Sequence, residues 1–296
     1  MKGKDFIEMA LGDFEDFYIQ SDFKVQRIYQ DCNGLKVSGN NEKARLAIPN
    51  EFAQMDLEED SEKFYALLLI GHEVAHYINK HNYYAESEKI ETRAIEMWAD
   101  YFGTVIAMSL FLLGKNTSKR FSFKPNSDKE SSFNMMCGAF ERIYEIYKNA
   151  DGQGIYEHSS SRILIITTGI TSFLIRLEIS KLINEGKIDI DLWSDTYLEL
   201  SKAWTYEFIL FSRKCKALFE AYMNKNLISL KEEEELEKIQ KVVQKIHIQI
   251  IGNAREITEG IHPVMKWILG TDFNTRPDIT YKAKEYIRKL EKEEKS

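Results

Sequence analysis

The sequence predicts a mainly α-helical protein with a small antiparallel β-sheet near its N-terminus, an α+β fold. Two observations lead to this fold class. Most of the 296 residues fall into long segments with apolar side chains at helical spacing, which short polar turns separate. Between residues 24 and 48, apolar and polar residues alternate instead, as is typical of strands with one buried face.

The N-terminal part is predicted to contain one helix and the sheet. Residues 1–20 form an amphipathic segment, so we expect a helix there. We then expect residues 24–29, 35–38 and 44–48 to be strands that pair in antiparallel fashion. In this prediction the sheet directly precedes the first long buried helix.

The next segment predicts two consecutive buried helices. The apolar run 64–70 continues into a helix that reaches residue 80, and a second apolar helix ends before residue 114. Gly71 lies inside the first helix, where it lowers helix propensity by about 1 kcal/mol relative to alanine. A second backbone that packs closely against Gly71 would account for this residue.

The rest of the chain predicts a polar connection and then further helices. Residues 114–132 are polar and long enough to form a mobile loop or lid. Helices are predicted at residues 133–148, 161–184, 192–224, 231–251 and 282–292. We therefore divide the chain into a first part (1–113), the polar loop (114–132) and a helical part (133–296). Aromatic side chains recur at helical spacing in the helical part, either as core or as a docking surface for a protein substrate.

The motif His-Glu-Val-Ala-His at residues 72–76 carries the clearest chemical information. Residues four apart share one helix face, so His72 and His76 can bind one metal ion. Glu73 then lies beside the ion, where a carboxylate can take a proton from water. Glu96 can supply the third ligand that zinc needs if the chain turns back, and Asp100, one turn later, can accept a histidine ring N–H.

Other assignments of these residues stay open at this point. Glu91 competes as the third ligand on the same predicted helix, and only the aspartate one turn after Glu96 favours Glu96 over it. His81 lacks a preceding glycine that would turn the chain back, so we expect it at a helix end or in a loop. The simplest alternative is that the histidines are ordinary core or surface residues without a metal.

The two motifs together resemble a known family of peptidases. The histidine motif with Glu-Met-Trp-Ala-Asp at residues 96–100 is similar to the gluzincins, the thermolysin-like superfamily in which a glutamate on a second helix completes a zinc site. Over residues 68–103 the chain most resembles the Lit-type phage-exclusion peptidases. The resemblance implies a zincin-like metallopeptidase core, one zinc ion per chain, and hydrolysis of a peptide bond in a specific protein.

The same resemblance implies a biological setting and a substrate. Lit-type peptidases cleave elongation factor Tu during phage infection, so it implies antiviral defence with elongation factor Tu as the protein partner. Such an enzyme must stay silent until triggered, which implies an activator derived from the phage. An edge strand beside the metal pairs with extended substrate in these peptidases, and residues 43–48 are our candidate for that strand, with a structural hairpin as the alternative.

A second patch fits this picture. Related zinc peptidases carry a string like residues 157–162 that places a histidine near the metal, although serines here replace their prolines. We expect His158 to donate a hydrogen bond to the oxyanion of the reaction, and Arg162 to steady that oxyanion or a substrate carboxylate. A purely structural histidine at a helix start is the alternative.

Composition limits the partners and the setting. A net charge of −7 with mixed signs argues against nucleic acid as a partner. Cys32, Cys137 and Cys215 are far apart in sequence and show no paired spacing, so we expect neither a disulfide framework nor a cysteine zinc site. A reducing cytoplasm is the simplest setting, and the N-terminal residues show no secretory signal.

Membrane insertion is not expected from the lengths of the apolar stretches. Residues 101–114 and 163–175 are each shorter than the roughly 20 residues that span a bilayer, so we expect core helices there. The prediction is thus a cytoplasmic zinc metalloendopeptidase. Its alternatives are a helical module that recognises a partner without hydrolysing it, and a membrane-associated zinc peptidase of the same superfamily.

Overall fold

A computed structural model describes residues 1–17, 24–39, 43–79, 81, 89–122, 128–150, 158–188 and 193–225. The α-helices in these ranges are α1 (Gly3–Glu15), α2 (Asn50–Gln54), α3 (Asp60–Ile78), α4 (Lys89–Leu113), α5 (Lys129–Ala150), α6 (Ser159–Asn184), α7 (Trp193–Ser212) and α8 (Lys216–Lys225). The strands are β1 (Arg27–Gln30), β2 (Lys36–Ser38) and β3 (Arg45–Pro49). The prediction of a mainly α-helical chain with a small sheet near its N-terminus is confirmed.

The sheet is mixed, so the prediction of an antiparallel sheet is wrong for one of its pairs. The strand order is β1-β3-β2, with β1 parallel to β3 and β2 antiparallel to it. Leu46, Ala47 and Ile48 of β3 are all fully buried, as suits a central strand that is covered on both faces. The candidate edge strand at residues 43–48 is therefore also wrong, because β3 lies in the middle and β2 forms an edge.

Helix α3 is the central helix of the fold. A capping box starts it: the Glu59 side chain accepts a backbone hydrogen bond from the first turn, and Glu62 accepts one in return from the N-cap backbone. The helix then buries the apolar run that the sequence predicted, including Phe64, Leu67 and Ile70. It packs against α4 and α5, so residues on its second half face the interior of the molecule.

Two glycines let α3 and α4 cross at very short range. A Cβ atom on Gly71 would collide with the carbonyl oxygen of Gly103, and a Cβ on Gly103 would collide with the backbone of His72. The close backbone contact expected at Gly71 is thus present, with α4 as its partner. This crossing brings the face of α4 that carries Glu96 against the face of α3 that carries the histidines.

The helical part follows the prediction up to residue 192 and then departs from it. Helices α5 and α6 match the expected segments 133–148 and 161–184. The expected single helix at 192–224 is wrong, because the chain leaves the helix at residues 213–215 and restarts as α8. The predicted helices at 231–251 and 282–292 lie outside the described residues, as does part of the 114–132 loop.

The cysteines are not all separated in space. Cys137 on α5 and Cys215 before α8 come together, with their sulfur atoms within 4.8 Å of each other. Both are free cysteines, and the expectation of neither a disulfide framework nor a cysteine zinc site stays a prediction. Their 78-residue separation in sequence gives no spacing signal, and only the packing of α8 against α5 joins them.

Two helices have apolar windows longer than the sequence reading allowed. Ile95–Leu113 in α4 and Ser159–Ile183 in α6 are long and apolar enough, by length and composition, to cross a membrane. The argument that they are too short is wrong. About 72% of the α4 window and 56% of the α6 window are nevertheless buried inside the fold, and core helices of soluble proteins meet the same criteria.

Candidate metal centre

The three predicted metal ligands lie together between α3 and α4. His72 Nε2 and His76 Nε2 are 3.1 Å apart, and each lies 3.4 Å from an oxygen of Glu96. Tetrahedral zinc with bonds of about 2.0–2.1 Å places its ligand atoms about 3.3 Å from each other. The separations of these nitrogen and oxygen atoms therefore fit one zinc ion held by two imidazoles and a carboxylate.

The competing third ligand cannot be compared with Glu96 in the same way. Glu91 belongs to α4, but its side chain lies outside the described residues. Glu96 is one turn and a half further along the helix, closer to the crossing point of α4 with α3.

The pKa of Glu96 is held well below its ordinary value. Burial opposes ionisation of this carboxyl group, but the nearby imidazole of His76, followed by that of His72, outweighs the effect of burial.

Glu73 lies beside the three ligands, as the motif predicts. One of its oxygens is 3.9 Å from His72 Nε2, and the other accepts a hydrogen bond of 2.9 Å from the backbone N–H of Val37 on β2. Burial raises the pKa of Glu73, and the His72 and His76 imidazoles act against this rise. The edge strand therefore fixes the orientation of the carboxylate that is expected to handle protons.

Asp100 joins His72 to a buried ion pair. Its Oδ1 lies 2.9 Å from His72 Nδ1, although the geometry is poorly aligned for a hydrogen bond. Arg162 donates to both Asp100 oxygens, at 2.6 and 2.9 Å, and the Tyr147 hydroxyl donates to Oδ1 at 2.9 Å. The guanidinium also stacks 3.6 Å from the centre of the Tyr147 ring and lies 3.6 Å from a Glu96 oxygen. Asp100 is thus held in place from three sides.

The charges of the site call for a cation. Glu73, Glu96 and Asp100 together carry three negative charges when ionised, and Arg162 balances one of them, which leaves an excess of two. Burial opposes protonation of His72, but its contacts with Asp100 and Glu96 win and raise the pKa of His72 to about 10. A divalent cation would satisfy the same field and compete with that proton.

His81 is a site residue that sequence reasoning missed. It lies just beyond the end of α3, as expected for a helix-end residue, but it is buried and its Nδ1 is 2.8 Å from His76 Nδ1. If His76 donates from Nδ1, its Nε2 is left unprotonated and free to bind a metal. Burial, reinforced by the neighbouring His76, lowers the pKa of His81 well below its ordinary value, so His81 is a neutral acceptor.

Sequence reasoning also missed Tyr147, and the structure places His158 at the start of α6. Tyr147 belongs to a helix that was predicted, but one tyrosine among fifteen gives no sign of a partner 47 residues away. His158 is exposed and serves as the N-cap of α6, where its Nδ1 accepts the backbone N–H of Ser160 at 3.2 Å. It does not line the cavity of the site, so the geometry favours the structural alternative over an oxyanion role.

Arg162 contacts a different partner in the site from the one expected. It was predicted to steady an oxyanion or a substrate carboxylate. The residue does border the cavity, yet it is 4% exposed and its guanidinium pairs with Asp100. The partners leave little of its charge for a substrate. We therefore assign Arg162 to holding Asp100, and through it His72.

The site opens into a large cavity. Its volume is about 1150 Å³, above the usual range for small-molecule pockets, and β2 borders it on one side. Apolar side chains make up much of its wall, among them Leu35, Val37, Phe52, Met55 and Leu69. A cavity of this size and lining has room for an extended peptide of several residues.

Comparison of the chain with protein families, with curated proteins and with solved structures finds no match. The resemblance to gluzincins therefore rests on the two motifs. The geometry of the residues in those motifs is the further support for this resemblance.

Proposed function

We propose that the protein is a zinc-dependent endopeptidase with a zincin-like core. The observation that carries this proposal is the convergence of His72, His76 and Glu96 at separations of 3.1–3.4 Å, with Glu73 beside them. Zinc held by these three residues would lower the pKa of water toward neutrality and polarise a carbonyl oxygen. Imidazole and carboxylate ligands accept other divalent metals as well, so the proposal concerns the ligand set and prefers zinc by its geometry.

The protein's own groups then handle the proton and the substrate. Glu73 takes a proton from the attacking water and passes it to the leaving amine as the peptide bond breaks. Its hydrogen bond from Val37 keeps one oxygen fixed and leaves the other directed at the ligand cluster. Asp100, with Arg162 and Tyr147, holds His72 in the orientation that the metal requires.

The substrate class follows from the cavity and the edge strand. Because β2 is an edge strand that borders the cavity, an extended peptide in the cavity would run beside it. Elongation factor Tu as the substrate, a phage-derived activator and a role in antiviral defence rest on the resemblance alone. They are proposals for which the geometry offers only a compatible peptide site.

The test compares three variants with the wild-type protein. Glu73→Gln should retain zinc and lose cleavage of elongation factor Tu, because the ligands remain and the base is gone. Glu96→Ala should lose the zinc bound by His72 and His76, together with activity, so that the zinc content per chain falls by about one. Glu199→Gln, an exposed carboxylate on α7 that pairs with Lys202, should change neither. Zinc is measured by elemental analysis and cleavage by mass spectrometry of the products.

Two results would contradict this proposal. Cleavage retained in Glu73→Gln would remove Glu73 from the mechanism. If Glu73→Gln retained zinc and lost cleavage but kept the effect of the wild-type protein in cells, a module that recognises a partner without hydrolysing it would be favoured.

A membrane-associated zinc peptidase is a second candidate, which the apolar windows of α4 and α6 favour. It predicts that the protein sediments with membranes after cell lysis and that detergent releases it. A protein that stays in the supernatant would support the cytoplasmic setting instead.

A further inference from the structure

A second group of metal-binding side chains lies where α5 meets α8, apart from the residues of the candidate metal centre. It consists of Cys137 and Glu141, one turn apart on α5, and Cys215, directly before α8. Their two sulfur atoms and a carboxylate oxygen all lie within 4.8 Å of one another. The proposed peptidase mechanism uses none of these residues.

The separations fit a tetrahedral ion. Cys137 Sγ lies 3.6 Å from Glu141 Oε1. A zinc ion with bonds of about 2.3 Å to sulfur and about 2.0–2.2 Å to oxygen places a sulfur and an oxygen ligand about 3.5 Å apart. The Cys137–Glu141 pair thus has the separation that an ion needs, and Cys215 Sγ, within 4.8 Å of both, is close enough to complete the group by a change of side-chain torsion.

The surroundings favour the thiolate form of the cysteine that is buried. The backbone N–H groups of Ala217 and Leu218, at the start of α8, donate to Cys215 sulfur, and the Cys137 thiol also donates to it. The hydrogen bond from Cys137, followed by the two backbone donors, lowers the pKa of Cys215 against the effect of burial. The same contact with Cys215, followed by burial, raises the pKa of Cys137, so a bound cation must displace the proton of that thiol. The Cys137 sulfur also lies 3.6 Å from Glu141 Oε1 and 3.7 Å from the carbonyl oxygen of Lys214, so its single S–H has three acceptors within reach and donates to one of them at a time.

Access to the group comes from one side only. Cys215 is 1% exposed, Cys137 is partly exposed and Glu141 is exposed. An ion can thus approach from solvent past Glu141 and keep a water in its fourth position. Two thiolates and one carboxylate are ligands that select a thiophilic divalent cation over magnesium or calcium.

We propose that Cys137, Glu141 and Cys215 form a second metal site, which binds a thiophilic divalent cation such as zinc and fastens α8 to α5. The proposal is independent of peptidase activity. Binding exchanges the thiol protons for the cation, so the protons go to solvent and no oxidant is needed. A Cys137–Cys215 disulfide is the competing use of the same pair.

The experiment uses cadmium as the probe, because it forms a thiolate-to-metal charge-transfer band in the ultraviolet that the histidine and carboxylate ligands of the other site do not give. The full-length protein is reduced with a phosphine, desalted without air and titrated with cadmium. The variants are Cys215→Ser, Glu141→Gln and, as a control outside the group, Cys32→Ser. Thermal melting checks that each variant is folded.

The wild-type chain should show a band that saturates at about one cadmium per chain. Cys215→Ser should lose it, Cys32→Ser should keep it, and Glu96→Ala should also keep it. Glu141→Gln changes an exposed side chain and leaves the core intact, so this variant should fold normally. Its affinity for cadmium should fall by more than about tenfold, because the loss of a group that only contacts a ligand already lowers metal affinity by about that factor.

Three outcomes would overturn the proposal. The first is the absence of the band in reduced wild-type protein. The second is a band that survives unchanged in Glu141→Gln. The third is a Cys137–Cys215 disulfide that re-forms in air despite excess cadmium, because coordinated thiolates are protected from oxidation. Failure of the peptidase proposal would show itself separately, as zinc content that Glu96→Ala leaves unchanged.

Discussion

At the scale of single residues, Asp100 connects the candidate metal centre to the helices around it. It contacts His72, Arg162 and Tyr147 and is 2% exposed. Asp100→Asn keeps the shape but removes the carboxylate that neutralises the buried Arg162 guanidinium at close range, so we expect a loss of about 3–5 kcal/mol in the free energy of unfolding. We also expect zinc affinity to fall by about 10–100-fold, because His72 loses its orienting carboxylate.

The measurements for Asp100→Asn are urea unfolding and a zinc competition titration against a chromophoric chelator. The matched control is Asp56→Asn, which removes an exposed ion pair with Lys2 and should leave the free energy of unfolding nearly unchanged. Equal effects of the two substitutions would contradict the role assigned to Asp100.

His72 gives the metal-free protein a defined pH dependence. Its pKa is raised to about 10 in the folded chain, above the 6.5 of an unperturbed histidine, so its protonation stabilises the fold. This contribution is complete below about pH 6.5 and is lost as the pH rises through 10. The difference in thermal midpoint between metal-free wild type and His72→Asn should therefore shrink from pH 6 to pH 10. A difference that stays constant would mean that no such proton is bound.

The site residues differ in how far the sequence could reveal them. Spacing along two helices was enough to predict five of them, because helical periodicity places residues four apart on one face. These five are His72, Glu73, His76, Glu96 and Asp100. His81 lies beyond a helix end and Tyr147 on a distant helix, so their contacts depend on tertiary packing that no local pattern encodes.

At the scale of elements, the crossing of α3 and α4 sets the distance between the histidines and Glu96. Gly71→Ala puts a methyl group into the Gly103 carbonyl, and the helices must move apart. We expect a loss of about 1–3 kcal/mol in the free energy of unfolding and weaker zinc binding, since Glu96 moves away from the histidine pair. Gly12→Ala in α1 is the control, because its Cβ meets nothing within 4 Å, and there helix propensity predicts a gain of about 0.5–1 kcal/mol.

Urea unfolding and zinc competition are again the measurements for the glycine pair. If Gly71→Ala were as stable as Gly12→Ala, with unchanged zinc affinity, the close helix crossing would not be what positions Glu96.

Long helices were the elements that the sequence predicted best, and short or interrupted ones the worst. Apolar periodicity over many turns identified α3, α5 and α6. The pairing of a short strand depends instead on which strand lies in the middle of the sheet and is covered on both faces. The buried run in β3 is typical of a central strand, whereas alternation alone predicted an antiparallel sheet with residues 43–48 at its edge. The hairpin that was the alternative for this segment is present as the antiparallel pair of β2 and β3. The break before α8 was missed because residues 213–215 contain neither glycine nor proline, so only the contacts of Cys215 show that a new helix begins there.

At the scale of the whole molecule, the candidate metal centre is a point where separate parts of the fold meet. Helix α3 supplies His72 and His76, α4 supplies Glu96, α5 supplies Tyr147, and α6 supplies Arg162. Strand β2 adds the backbone donor to Glu73. An ion bound here would join α3 to α4 directly, and α5 and α6 contact these ligands through Asp100, so the stability of the described core should depend on the ion.

This gives a prediction for the molecule as a whole. A ligand that binds only the folded state stabilises it according to its concentration relative to the dissociation constant, by about 2.7 kcal/mol at a hundredfold excess. Zinc at that excess should raise the thermal midpoint of the wild type, and a chelator should reverse the change. Glu96→Ala should lose the part of the shift that this centre contributes, while keeping any part due to Cys137 and Cys215. Differential scanning calorimetry measures the thermal midpoint of each protein with and without zinc. A zinc-induced shift of equal size in wild type and Glu96→Ala would show that this centre does not contribute to the stability of the fold.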